Sequence, residues 1–169
     1  MNIVTPRLRL RPSSMDDVDA LHALWTDAGV RRYLWDGIVI DRETACEVVQ
    51  RSLEDWADCG AGLFCILPRD SERIIGFCGF RRFPPDDEWE LLYGLLPDFW
   101  GQGLALEASR AALDFVFATL PVARIAGRTD PPNQASIRVL EKLGMRFVER
   151  NISEGVDTVS YLIERPVVS

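Results

Sequence analysis

No run of apolar residues in this chain of 169 residues is long enough to span a bilayer, which argues against a membrane-spanning helix. The first residues, Met1-Asn2-Ile3-Val4-Thr5-Pro6-Arg7, lack the apolar segment of a secretory signal, so the cytoplasm is the expected compartment. Histidine is almost missing: the single one, His22, falls in a helical stretch and reads as a surface or core residue. The four cysteines, Cys46, Cys59, Cys65 and Cys78, include no CxxC pair and match no common metal spacing, so no metal site is expected. Without a secretion signal they read as free buried thiols, and Asn151-Ile152-Ser153 carries no meaning as a glycan acceptor. Positive charge is also short. The net charge of -7 argues against a nucleic-acid partner and is compatible with a cationic substrate. There is no internal repeat and no low-complexity linker, so residues 1–169 are expected to form one domain.

What is present is an alternation of two hydrophobic periods, 2 and 3.6 residues, as in an α/β protein. Arg7-Leu8-Arg9-Leu10-Arg11 alternates strictly and predicts a strand ended by Pro12. Ser14 to Asp17 resembles a capping box, and Val18, Leu21, Trp25 and Ala28 follow helical spacing. Asp41 can cap a second helix that carries Ala45, Val48, Val49, Leu53 and Trp56 and ends at Cys59-Gly60. Strands are expected at Leu63 to Leu67, Arg73 to Phe83 and Glu88 to Leu96, joined by short turns that favour antiparallel pairing. A long helix follows from Gly103 to about Leu120, then a strand from Arg124 to Arg128. Asn133 can cap a helix with Ile137, Leu140 and Leu143, closed by Gly144. Met145 to Arg150 and Thr158 to Glu164 read as the last strands. The expected product is a mixed, largely antiparallel twisted sheet with helices on both faces.

The segment Trp100-Gly101-Gln102-Gly103-Leu104-Ala105 lies between a strand and a helix. A helix entry offers unpaired backbone N–H groups and a positive dipole end, which suits a phosphate. The loop has no lysine of a GxxxxGK[ST] type, and Leu106 breaks a GxGxxG dinucleotide pattern. Two glycines at a helix entry also make an ordinary tight turn, so the loop alone leaves both readings open.

Its surroundings narrow the choice. Glu90-Leu91-Leu92-Tyr93-Gly94-Leu95-Leu96-Pro97-Asp98-Phe99-Trp100-Gly101-Gln102-Gly103-Leu104-Ala105-Leu106-Glu107-Ala108 resembles the central segment of the GCN5-related N-acetyltransferases, the GNAT superfamily. The likeness is greatest to the RimJ/RimL-like branch that acetylates ribosomal-protein N-termini. Asn133 to Phe147, Thr5 to Pro12 and Ile75 to Phe80 agree in order and spacing, so the resemblance runs from about residue 5 to residue 164. It implies a GNAT-like fold, acetyl-CoA as cofactor, and an amine-bearing acceptor, either a peptide N-terminus or a small molecule. It implies that residues 100 to 105 hold the pyrophosphate, that the strand at Tyr93 to Leu95 splays and binds the pantetheine arm, and that Asn133 and Ser136 approach the arm and the sulfur. Trp100, Leu92 and Leu106 depart from the wider family pattern, and Leu92 bears on the acceptor side.

Acetyl transfer to an amine needs a base, a site for the oxyanion and an acid for the thiolate. Backbone N–H groups near Tyr93 are the candidate oxyanion site. The resemblance places Glu90 facing the acceptor channel and makes it the candidate base; a solvated strand-end carboxylate is the plain alternative. Ser136 and Tyr93 are candidates to bond or protonate the sulfur, against first-turn helix chemistry for the serine and core packing for the tyrosine. Asp86, Asp87 and Glu88, with Glu90, could draw a cationic amine or simply form a solvated turn. Trp25, Trp35 and Trp56 could line an acceptor pocket, although packing is their first expectation. Competing functions are a non-catalytic acetyl-CoA sensor and a dinucleotide-binding module. The oligomeric state stays open, a homodimer included.

Overall fold

The computed structural model describes residues 1–167. Its framework is one eight-stranded sheet in the order β1-β2-β3-β4-β5-β6-β8-β7. The strands are β1 (Ile3–Val4), β2 (Leu8–Pro12), β3 (Leu63–Pro68), β4 (Gly76–Phe83), β5 (Glu88–Leu95), β6 (Arg124–Thr129), β7 (Arg146–Ser153) and β8 (Val156–Glu164). All neighbours are antiparallel except β5 and β6, which are parallel. The helices are α1 (Val18–Thr26), α2 (Ala28–Arg31), α3 (Arg42–Cys59), α4 (Leu104–Thr119) and α5 (Gln134–Lys142).

Strand alternation explains the two cores. In β2, Leu8 and Leu10 are buried while the arginines between and beside them face outward. One core joins Leu8, Leu10, Phe64, Ile66, Phe80, Leu91 and Leu95 to Leu104, Ala108, Ala112 and Val116 of α4 and Leu140 of α5. The other joins Leu63, Cys65, Leu67 and Phe77 to Val18, Leu21 and Trp25 of α1 and Ala45 and Val49 of α3. The helices therefore cover both faces, and neither core leaves the sheet amphipathic on its own. β7, at the end of the sheet, is exposed along its whole length. Among the described residues no helix is long and apolar enough to cross a membrane.

Several details differ from expectation, and in three of them the physical reason is visible. The first helix does not reach Ala28. It stops at Thr26, because Asp27 turns extended (ψ 133°) and its side chain accepts from the N–H groups of Gly29 and Val30, starting α2. The strand expected from Arg73 begins at Gly76, its approach being a loop anchored by Ile75 N–H on the Ile66 carbonyl at 2.9 Å. Leu53 and Trp56 of α3 are only half-buried, whereas Ser52 and Asp55 are buried: Ser52 Oγ accepts from Leu63 N at 2.8 Å and Asp55 meets Arg82 at 3.3 Å.

Candidate active site

The parallel pair sets the site. β5 and β6 share one register pair, Glu90 with Ala126, and part beyond it. Tyr93 and Leu95 lie past that point, on the diverging stretch of β5. α5 stands at the far side of the opening, begun by Asn133, whose side chain accepts from Ser136 N at 3.2 Å. Tyr93 and Ser136 meet: the phenol oxygen is 2.7 Å from Ser136 Oγ and donates to the Ser136 carbonyl at 3.1 Å. Burial pushes the Tyr93 phenol up to about 12, against a smaller opposing effect of the Ser136 hydrogen bond. The phenol therefore keeps its proton throughout the neutral range.

Beyond β5 the chain makes the glycine loop. Gly101 (φ 72°) and Gly103 (φ 75°) are both left-handed, a conformation that a side chain would strain. Gly103 is the residue before α4, and Leu104 and its successors start the helix with their N–H groups free of intrahelical partners. Nothing lies within 4 Å of the position a Cβ would take at Gly101, so a ligand can reach the backbone there. Half of Trp100 is exposed. Its Nε1 donates to the Leu95 carbonyl at 2.8 Å, and its ring edge is 3.0 Å from where a Cβ on Gly29 of α2 would be.

Glu90 does not stand open to a channel. It is 3% exposed; Arg81 Nε donates to one oxygen at 2.7 Å, and Arg128 lies 3.7 Å from the other. Glu88 also pairs with Arg128, whose guanidinium, like that of Arg81, lies over the Phe83 ring. The expected acidic patch is thus divided: arginines neutralise Glu88 and Glu90, while Asp86 and Asp87 stay in the exposed turn, Asp87 at 4.0 Å from Arg82. Nothing in the local pattern around Glu90 signals this, because the partners come from two other strands, β4 and β6. Trp25 packs edge-on against Phe77 and Trp35, and Trp56 against Phe64, so both serve the cores. His22 Nε2 is 2.8 Å from the Ile40 carbonyl and ties α1 to the loop before α3.

Sequence reasoning missed two residues beside the loop, Arg7 and Glu107. Arg7 donates to the Gln102 carbonyl at 2.7 Å and to Glu107 at 2.6 Å. A hundred positions separate this pair, and only the exposed alternation around Arg7 was visible.

A mixed sheet whose central parallel pair opens beside a glycine-rich helix entry is the architecture of an acyl-CoA-dependent N-acyltransferase. The chain belongs to the acetyltransferase (GNAT) domain family, whose description matches residues 7–146. It is an N-acetyltransferase by that membership. An uncharacterized N-acetyltransferase p20 from Bacillus licheniformis is 30% identical over 145 residues, covering 85% of this chain and 82% of that one. Among solved structures, a GNAT-family acetyltransferase from Bacillus anthracis superposes with a TM-score of 0.80 at 26% identity, covering 98% and 99% of the two chains. RimL, a ribosomal L7/L12 alpha-N-protein acetyltransferase solved with coenzyme A, shares the fold with a TM-score of 0.81 at 22% identity, covering 97% and 98%.

Proposed function

We propose that this enzyme moves an acetyl group from acetyl-CoA directly to a primary amine, with residues 100 to 105 at the pyrophosphate and the Tyr93–Ser136 pair at the sulfur. The observation that carries the reading is that pair, two hydroxyls 2.7 Å apart at the opening between β5 and β6. Acetyl-CoA supplies the activated thioester. The residues present fit it: an open glycine backbone at a helix entry for the anion, and a diverging strand edge for the arm.

In this reading, Trp100, Gly101, Gln102, Gly103, Leu104 and Ala105 would hold the pyrophosphate, chiefly through backbone N–H groups at the start of α4. Tyr93 and Leu95 border the arm on one side and Asn133 on the other. A backbone N–H near Tyr93 holds the carbonyl oxygen as it gains charge. Tyr93, still protonated, would give its proton to the sulfur as the C–S bond breaks and regain one from water, and Ser136 would orient the phenol. The amine loses its proton to water. Glu90 is proposed as an electrostatic brace for Arg81 and Arg128 in preference to a base, since both of its oxygens already face guanidinium groups. The acceptor is a peptide N-terminus or a small amine. The cytoplasm is the proposed setting, on the free thiols Cys46, Cys59, Cys65 and Cys78.

Calorimetry with coenzyme A tests the loop. Wild type binds, Gly103→Ala keeps most of the affinity, and Gly103→Glu loses it by placing a carboxylate at the anion site. Equal affinity in all three overturns the loop assignment. Thiol release against peptides, polyamines, amino acids and aminoglycosides then identifies the acceptor; release with none of them overturns the amine-transfer reading.

A further inference from the structure

The loop that carries the proposed pyrophosphate site is held from behind by residues far away in sequence. Arg7, just before β2, sends one guanidinium nitrogen to the Gln102 carbonyl at 2.7 Å and another to Glu107 at 2.6 Å. Its own backbone N–H donates to the second Glu107 oxygen at 3.0 Å, and Thr5 Oγ1 donates to that oxygen at 2.6 Å. Glu107 belongs to the first turn of α4 and is mostly covered, its side chain 16% exposed. Burial works to raise its carboxyl, but the bonds from Thr5 and Arg7 outweigh that and hold it below the ordinary value.

Two consequences follow from this geometry. A carboxylate in the first turn of the helix that is to receive an anion opposes that anion unless it is neutralised, and Arg7 neutralises it. A loop carbonyl captured from behind turns its peptide unit away from the ligand side. Gln102 is the residue between the two left-handed glycines, so fixing its carbonyl fixes the central peptide of the loop. The Arg7 guanidinium passes 3.6 Å from the place of a Cβ on Gly103, close enough to brace that residue as well.

We infer that Arg7 is a positioning residue for cofactor binding: through Glu107 and the Gln102 carbonyl it presets the loop from Trp100 to Leu104 for a pyrophosphate. This rests on the coenzyme A reading above. Arg7 acts on the anion-binding part of the cofactor alone, and the pantetheine end is indifferent to it.

The test compares coenzyme A with pantetheine, which has the arm and lacks the pyrophosphate, in wild type, Arg7→Ala, Glu107→Gln and the double variant. Half of the Arg7 side chain is exposed, and circular dichroism checks that each variant is folded. Arg7→Ala is expected to weaken coenzyme A roughly ten- to hundredfold, the worth of a charged hydrogen bond with its uncompensated partner left behind. Pantetheine binding stays within about twofold, the size of an ordinary surface substitution. Adding Glu107→Gln to Arg7→Ala recovers part of the loss, because the stranded carboxylate is gone. In turnover, KM for acetyl-CoA rises while kcat holds. Equal weakening of both ligands, no weakening of coenzyme A, or no recovery in the double variant each overturns the inference. Failure of wild type to bind coenzyme A at all overturns the cofactor reading instead.

Discussion

At the scale of single residues, Tyr93 and Glu90 now carry opposite expectations. Tyr93 has a partner at hydrogen-bond distance and a proton held until far above neutral pH, as a general acid requires. Tyr93→Phe is expected to lower kcat on the order of a hundredfold with little change in KM for acetyl-CoA, measured by thiol release. Retained kcat would remove the phenol from the chemistry. Glu90→Gln is expected to leave the shape of the kcat/KM pH profile unchanged. Its cost falls on the fold, about 2 kcal/mol for a hydrogen bond to a charged group, read by urea denaturation. Loss of the acidic limb of the profile would restore Glu90 as the base. The alternation that marks Glu90 as a strand residue says which face it takes; it does not say that Arg81 and Arg128 wait there.

At the scale of elements, α5 shows how a cap and the proposed site share one residue. Asn133 accepts from Ser136 N, so it both starts the helix and sets the residue that meets Tyr93. Asn133→Ala should cost about 1 kcal/mol in urea denaturation. Because Ser136 moves with the first turn, kcat should fall as well; an unchanged kcat would separate the cap from the site. Strands and helices of this kind were legible because each carries its own signal: alternation in β2, the Asp41 cap of α3, the asparagine of α5. What escaped were events decided by a neighbour. Asp27 interrupts the first helix by capping its own successors, a local option that periodicity alone does not reveal. Leu53 and Trp56 were expected on the covered face of α3, yet Ser52 and Asp55 are the buried ones, because β3 and Arg82 supply partners. The glycine loop was legible as a two-glycine entry to a helix, whereas the contact behind it was not, since Arg7 and Glu107 meet only after the sheet has formed.

At the scale of the whole molecule, stability should bend at both ends of the pH range. Burial holds the thiol of Cys65 and the phenol of Tyr93 protonated to about 12. In the unfolded chain these groups release protons near 9 and 10. Their contribution is therefore intact below pH 9 and lost as pH rises toward 12. Asp17 and Glu107 behave in the other sense. Burial opposes their charge, but Arg11 with Ser14, and Thr5 with Arg7, hold them below their ordinary values of 3.8 and 4.5. Their contribution is intact above pH 4.5 and lost as pH falls through the lowered values. Urea denaturation across this range should give a plateau between, and Glu107→Gln should shallow the acid limb.

The parting of β5 from β6 reaches beyond chemistry. A sheet that is continuous from β1 to β5 and again from β6 to β7 is joined at its middle by a single register pair. Whatever fills the gap supplies cohesion that the polypeptide leaves out. Saturating donor, at about a hundred times Kd, would add about 2.7 kcal/mol and raise the melting temperature by roughly 5–10 °C. The lifetime of this enzyme against proteolysis would then track the supply of its acetyl donor, long when the donor is plentiful and short when it is scarce.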